Sequence, residues 1–198
     1  MSDAKSVLKM MKDEEVEYVD LRFTDPRGKL QHVTVINDIV DEDFLTEGFM
    51  FDGSSIAGWK SIDKSDMKLM PDESSVYLDP FFAEKTLCVH CDVLEPDTNE
   101  AYERDPRTTA KKAEEYLKAS GIGDTSYWGP EAEFFIFDNV RYQVAMNKVS
   151  YEVDATDGAW NSDTEYEMGN SGFRPGIKGG YFPLPPIDHA QDLRAEML

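Results

Sequence analysis

The sequence predicts an α+β protein in two successive units, on three observations. Apolar and polar residues alternate with period two through Val19, Leu21 and Phe23, and again through Leu30–Ile36, on either side of turn-forming residues. Between Glu95 and Arg107 the chain turns polar, holds two prolines and loses its periodicity, so a boundary is expected at about residues 95–106, dividing 1–99 from 107–198. Beyond it, Asp105-Pro106 opens a helical pattern and alternation resumes, as in an α/β unit with an antiparallel sheet.

Taken in order, Ser2 or Asp3 caps a short first helix whose apolar positions are Val7, Leu8, Met10 and Met11. Its acidic end, Asp13-Glu14-Glu15, opposes the helix dipole and keeps it short. Asp25-Pro26-Arg27-Gly28 places Pro and Gly where a tight turn wants them, so the flanking alternating runs form a hairpin. An acidic helix at Asp41–Glu47, a loop of small residues from Phe51 to Trp59, and strands at Met67–Met70, Val76–Leu78 and Thr86–Val93 complete the first unit. In the second, a helix runs from Asp105-Pro106 to Gly121, with a cap at one end and a glycine at the other. Residues 125–137 are expected as a strand, with Gln143–Val153 as its antiparallel partner. Asp154–Pro186 reads as a long functional or disordered loop, and Asp188 with Gln191 as a capping box for a helix beginning near His189.

The 198 residues are 40% hydrophobic and 12% aromatic, a composition suited to an ordered core. Forty acidic against 20 basic residues leave a net charge of -20, which argues against nucleic acid or an anionic membrane as partner and leaves cations and neutral ligands open. No signal peptide or membrane span is recognisable, so a cytoplasmic location is expected. Cys88-Val89-His90-Cys91 has C-x-x-C spacing, but on a strand positions i and i+3 face opposite ways, which points to two reduced structural thiols. His32, His90 and His189 have no metal spacing and are read as structural.

Two constellations carry chemistry. Trp128-Gly129-Pro130-Glu131-Ala132-Glu133-Phe134-Phe135-Ile136-Phe137 sets two carboxylates two residues apart in an aromatic segment. On an extended backbone both leave the same face. They are either the wet face of a half-buried strand or, since adjacent buried carboxylates need neutralising, the start of a site for a hard divalent cation. Asp52-Gly53-Ser54-Ser55 reads either as an ordinary turn or as a loop bringing a general base and hydroxyls to a small polar substrate. Gly176–Pro183 lacks the order of a phosphate loop, and the tyrosine within it, Tyr181, lines a pocket or a structural turn.

In their order along the chain, Phe51-Asp52-Gly53-Ser54-Ser55-Ile56-Ala57-Gly58-Trp59, Gly129-Pro130-Glu131-Ala132-Glu133-Phe134-Phe135 and Lys178-Gly179-Gly180-Tyr181-Phe182-Pro183-Leu184-Pro185-Pro186 closely resemble the amino-terminal portion of bacterial type I glutamine synthetase. The resemblance covers essentially the whole chain. It implies an amino-terminal β-grasp domain followed by the start of a catalytic domain.

For function, the resemblance implies ATP-dependent ligation of ammonia to L-glutamate through a γ-glutamyl phosphate. Glu131 and Glu133 would be metal ligands, one for each of two Mg²⁺ or Mn²⁺ ions. Asp52 would accept the proton that ammonium must lose, with Ser55 and Tyr181 helping to form the ammonium pocket, and Trp59 would wall the site without a chemical role. The family's assembly of two stacked six-membered rings implies that Asp52 serves the site whose metals a neighbouring subunit binds. The remaining ligands of the family lie beyond position 198, so the chain is expected to be an incomplete portion, inactive alone. A γ-glutamyl-amine ligase and a non-catalytic structural or regulatory relative remain as alternatives.

Overall fold

The computed structural model describes residues 3–155, 158, 160, 176 and 178–198. Its contacts divide the chain into Met1–Trp128 and Gly129–Leu198. Most of the expected loop at 154–186 lies outside the described residues.

The first unit is a six-stranded mixed sheet with helices on its apolar face. Helix α1, Ala4–Asp13, starts where Asp3 accepts the Ser6 N–H at 2.8 Å and Ser6 returns a hydroxyl contact to the Asp3 amide at 2.9 Å. Its buried residues Ala4, Val7 and Met11 recur at helical spacing. Strands β1, Tyr18–Thr24, and β2, Leu30–Ile36, pair antiparallel in the register Leu21↔Val33. Asp25 closes their turn by accepting the Arg27 and Lys29 N–H groups, each at 2.9 Å, while Gly28 takes φ 82°. Helix α2, Glu42–Glu47, precedes β3, Phe49–Asp52; β4 is Asp66–Pro71, β5 Tyr77–Leu78 and β6 Thr86–Leu94.

The order across the sheet is β2-β1-β6-β4-β3, with β5 also on β6. β1 and β6 run parallel and the other pairs antiparallel. Val19, Leu21 and Phe23, Met67 and Leu69, and Leu87, Val89, Cys91 and Val93 form one core with Val7, Met11 and Leu45 of the helices. The alternate residues of β1 and β6 make a polar layer that is also dry in places: Asp20 is 1% exposed and Cys88 fully buried. Asp20 there accepts from Thr34 Oγ1 at 2.7 Å and Arg22 Nε at 2.8 Å, and lies 2.6 Å from His32 Nδ1. Cys88 and Cys91 are both buried and free, as structural thiols should be.

Helix α3, Pro106–Ser120, is capped by the fully buried Asp105, which accepts from the Arg107 and Thr108 N–H groups at 3.1 Å each, and ends on left-handed Gly121.

The expected strand at 125–137, which spans the division after Trp128, does not form. These residues have no ladder partner among the described residues, and a strand exists only through its neighbour's backbone bonds. The expected partner instead folds on itself: β7, Asn139–Ala145, pairs with β8, Lys148–Asp154, in the register Tyr142↔Tyr151. Met146-Asn147 is the two-residue turn between them, a signal that reading 143–153 as one strand overlooks. Helix α4, Gln191–Met197, starts two residues later than expected and without a side-chain cap. The Asp188 carboxylate is occupied elsewhere, by Arg194 and by the Ala190 N–H at 3.1 Å.

Candidate functional site

Asp52 stands at the end of β3, opposite Asp66 of β4. The next residue, Gly53, donates its N–H to Ser65 O at 2.7 Å, and a one-turn 3-10 helix, Gly53–Ser55, begins there with Asp52 as its cap. One carboxylate oxygen, Oδ1, accepts both the Ser54 N–H at 2.8 Å and the Ser54 hydroxyl at 2.6 Å. Among the described residues the other, Oδ2, has only the Ser55 hydroxyl at 3.5 Å. The Ser54 hydroxyl and amide, with Ser55, hold the Asp52 carboxyl below the ordinary range, outweighing a contrary push from burial. Asp52 is thus an exposed anion throughout the neutral range, with one oxygen fixed and one open.

The far end of the loop is anchored in the core. Trp59 is 6% exposed and packs against Phe23, Phe51 and Tyr102 with ring centroids 5.5, 6.0 and 5.6 Å away. It is a core residue of the first unit, drawn inward by the aromatic lining of β1 and β3. Its indole Nε1 has no partner among the described residues. Arg104 adds a second anchor, donating to Gly58 O at 2.7 Å.

Glu131 and Glu133 lie in an exposed segment of irregular backbone, and neither carboxylate is engaged by a hydrogen bond or ion pair with a described residue. The reading of the pair as one face of a strand therefore fails here. Their chemistry suits an oxygen-seeking divalent ion, but two carboxylates fill two of about six positions that Mg²⁺ takes. No group of three or more His, Cys, Asp or Glu among the described residues is placed to hold a metal. Tyr181, 82% exposed, follows the turn closed by the Gly179 N–H on Gly176 O at 2.8 Å and stacks obliquely on Phe182 at 4.5 Å. Of the five expected site residues, Asp52 and Ser55 are brought together in the first unit, while Glu131 and Glu133 share one segment of the second and Tyr181 sits on another. Ser54, which makes the two short bonds to Asp52, was not singled out from the sequence, although a serine two residues after an aspartate is the pattern of a side-chain turn.

The glutamine synthetase β-grasp domain model matches residues 15–96, and the glutamine synthetase catalytic domain model matches residues 103–198. The chain belongs to the glutamine synthetase family. It is 74% identical over 198 residues to the glutamine synthetase of Cereibacter sphaeroides and 72% identical over 198 to that of Rhodobacter capsulatus, covering 100% of this chain and 42% and 45% of those proteins. The glutamine synthetase of Escherichia coli K12 is 56% identical over 194 residues, 98% of this chain and 41% of its own length. The chain thus spans less than half the length of these relatives. Among solved structures, the Plasmodium falciparum glutamine synthetase superposes with a TM-score of 0.72 at 24% identity, covering 100% of this chain and 39% of that one, a likeness of fold. The observed mixed sheet of the first unit is accordingly the family's β-grasp domain, and residues 103–198 are the start of its catalytic domain.

Proposed function

We propose that this chain supplies the ammonium-facing loop and the first metal-binding carboxylates of an ATP-dependent glutamate–ammonia ligase. The observation that carries the reading is the half-engaged carboxylate of Asp52: Oδ1 is saturated by Ser54 and Oδ2 is open beside the Ser55 hydroxyl, within a family whose named members are glutamine synthetases. Ammonium has no lone pair to attack with. An anionic Oδ2 binds it as a cation and accepts a proton as the nitrogen attacks the γ-carbonyl of γ-glutamyl phosphate, which releases phosphate. Ser55 and Tyr181 are the further polar groups of this pocket. Glu131 and Glu133 would hold Mg²⁺ or Mn²⁺, which when bound neutralises phosphate oxygens on ATP and on the acyl phosphate.

The two family models end and begin at residues 96 and 103, which supports a domain boundary within 95–106. Family membership supports an assembly of two hexameric rings in which neighbouring subunits share each site, and a cytoplasmic enzyme; no helix among the described residues is long and apolar enough to cross a membrane.

The test is a chimera carrying this chain in place of the matching segment of the Cereibacter sphaeroides relative. Glutamine should form from glutamate, ATP and ammonium, and Asp52→Asn should reduce kcat/KM for ammonium at least about a hundredfold, the scale of a lost general base. Wild-type ammonium kinetics in Asp52→Asn would refute the assignment, and preference for methylamine over ammonium would identify an amine ligase instead. The 198-residue chain alone is expected to form no glutamine.

A further inference from the structure

The Asp52 turn has a twin twenty residues on. Phe51-Asp52-Gly53-Ser54-Ser55-Ile56 and Pro71-Asp72-Glu73-Ser74-Ser75-Val76 share the same order of an aspartate, a spacer, two serines and a β-branched residue. Asp52 is the last residue of β3 and Asp72 the first after β4; each caps a one-turn 3-10 helix and takes nearly the same backbone conformation, φ -84° and ψ 100° for Asp52 against φ -94° and ψ 99° for Asp72. The hydrogen bonds repeat as well. Asp72 Oδ1 accepts the Ser74 N–H at 3.0 Å and the Ser74 hydroxyl at 2.6 Å, matching the 2.8 and 2.6 Å contacts of Ser54 on Asp52 Oδ1.

The twins differ at the second oxygen. Asp72 Oδ2 receives the guanidinium of Arg107, a nitrogen cation supplied by α3. Asp52 Oδ2 has no cation partner among the described residues. The second serine differs to match: the Ser75 hydroxyl is turned onto the Asp72 carbonyl at 2.7 Å, whereas the Ser55 hydroxyl lies on the Oδ2 side of Asp52 at 3.5 Å. One local design therefore occurs twice in the chain, once with a nitrogen cation seated on the oxygen that the serine leaves free and once with that oxygen open.

We propose that Ser54 is a positioning residue for the ammonium subsite: its amide and hydroxyl together hold Oδ1 of Asp52, stop the carboxylate turning, and present Oδ2 as the single oxygen that receives the N–H cation. This rests on Asp52 being the ammonium-facing base. The physical basis is pre-organisation. A free carboxylate rotates about Cβ–Cγ and offers either oxygen, so part of each encounter is spent fixing its orientation. Two hydrogen bonds to one oxygen remove that freedom before ammonium arrives. They also stabilise the anion, in keeping with the lowered titration of Asp52.

The experiment uses Ser54→Ala, Ser54→Thr and Ser74→Ala, in the chimera for kinetics and in the 198-residue chain for ¹³C NMR titration of the Asp52 carboxyl. Ser54→Ala should raise KM for ammonium about tenfold, the scale of one lost hydrogen bond to a charged acceptor. KM for glutamate and ATP should be unchanged, and Asp52 should titrate at higher pH. Ser54→Thr, which keeps a hydroxyl, should restore both readouts. Ser74→Ala removes the same group from the twin turn and should leave ammonium KM alone. Wild-type ammonium KM with an unmoved Asp52 titration in Ser54→Ala would overturn the proposal, as would an equal rise in Ser74→Ala, which would mark a general loss of stability. Should Ser54→Ala fail to fold, Ser54→Gly, which keeps the amide contact, replaces it with the same expectations. If Asp52→Asn keeps wild-type ammonium kinetics, the functional reading falls, while the NMR titration still decides whether Ser54 holds the carboxylate.

Discussion

Gly53→Ala tests how tightly the fold grips Asp52. A Cβ at this position would stand 2.6 Å from Met67 Cγ, closer still to its Sδ, and 3.2 Å from Ser65 O. Met67 is fully buried between β3 and β6 and has no solvent to retreat into, while Ser65 O is backbone already bonded to the Gly53 N–H at 2.7 Å. Inserting one methyl into such a core costs about 1–3 kcal/mol. Against this, alanine lowers the entropy of the unfolded chain and returns about 0.4–1 kcal/mol, so the expected net loss is about 1–2 kcal/mol. Urea unfolding of the 198-residue chain, followed by tryptophan fluorescence and circular dichroism, measures it. Trp59 is the reporter of the first unit's core, since Trp128 and Trp160 are 88% and 58% exposed. Met67→Ala removes the atoms in the way and by itself costs about 2–5 kcal/mol. The double variant should therefore fall short of the sum of the singles by about 1 kcal/mol or more, the signature of two side chains competing for one space. A Gly53→Ala protein as stable as the parent, or strict additivity in the double variant, would refute the packing argument. In the chimera, displacing the Asp52 backbone should also raise KM for ammonium.

The remaining predictions concern the first unit. Burial pushes the Asp20 carboxyl up, but hydrogen bonds from Thr34, Arg22 and His32 more than offset it and hold it below its ordinary value. The stabilisation is then complete above the unfolded value of about 3.9 and is lost as pH falls through the lower folded value. Asp20→Asn should cost about 3 kcal/mol at pH 7 in urea unfolding and flatten the acid limb of the stability profile; an unchanged limb would refute this. Asp105→Ala removes a buried cap bonded to Arg107, Thr108 and the Val93 N–H, and should cost about 2 kcal/mol by the same measurement. Burial pushes the Cys88 thiol up to about 11 and Cys91 up as well, so at pH 8 neither should react with a disulfide reagent until denaturant is added; fast labelling of the native chain would contradict their placement.

Much of the first unit is written locally. The Asp3 and Asp105 caps, the Asp25–Gly28 turn and the alternation of β1 are each specified by residues within a few positions of one another, and the structure keeps all of them. The second unit shows where local reading fails. Residues 125–137 are apolar and aromatic enough for a strand, yet a strand needs a neighbour, and the alternation in 143–153 is consumed by a hairpin whose turn is only Met146-Asn147.

By itself, the sequence determined the family, through three motifs in order, and supplied the side chains proposed for the site: Asp52, Ser55, Tyr181, Glu131 and Glu133. Tertiary structure alone decided that β6 lies parallel to β1 at the centre of the sheet, that an aspartate at position 20 is buried among three donors, and that Trp59 faces the core. It also decided which oxygen of Asp52 is held by Ser54. Caps, turns and periodicity depend on neighbours in the chain. Strand order, burial and the occupancy of a carboxylate oxygen depend on residues far apart in sequence, and at Asp72 the difference from Asp52 is made by an arginine thirty-five positions away.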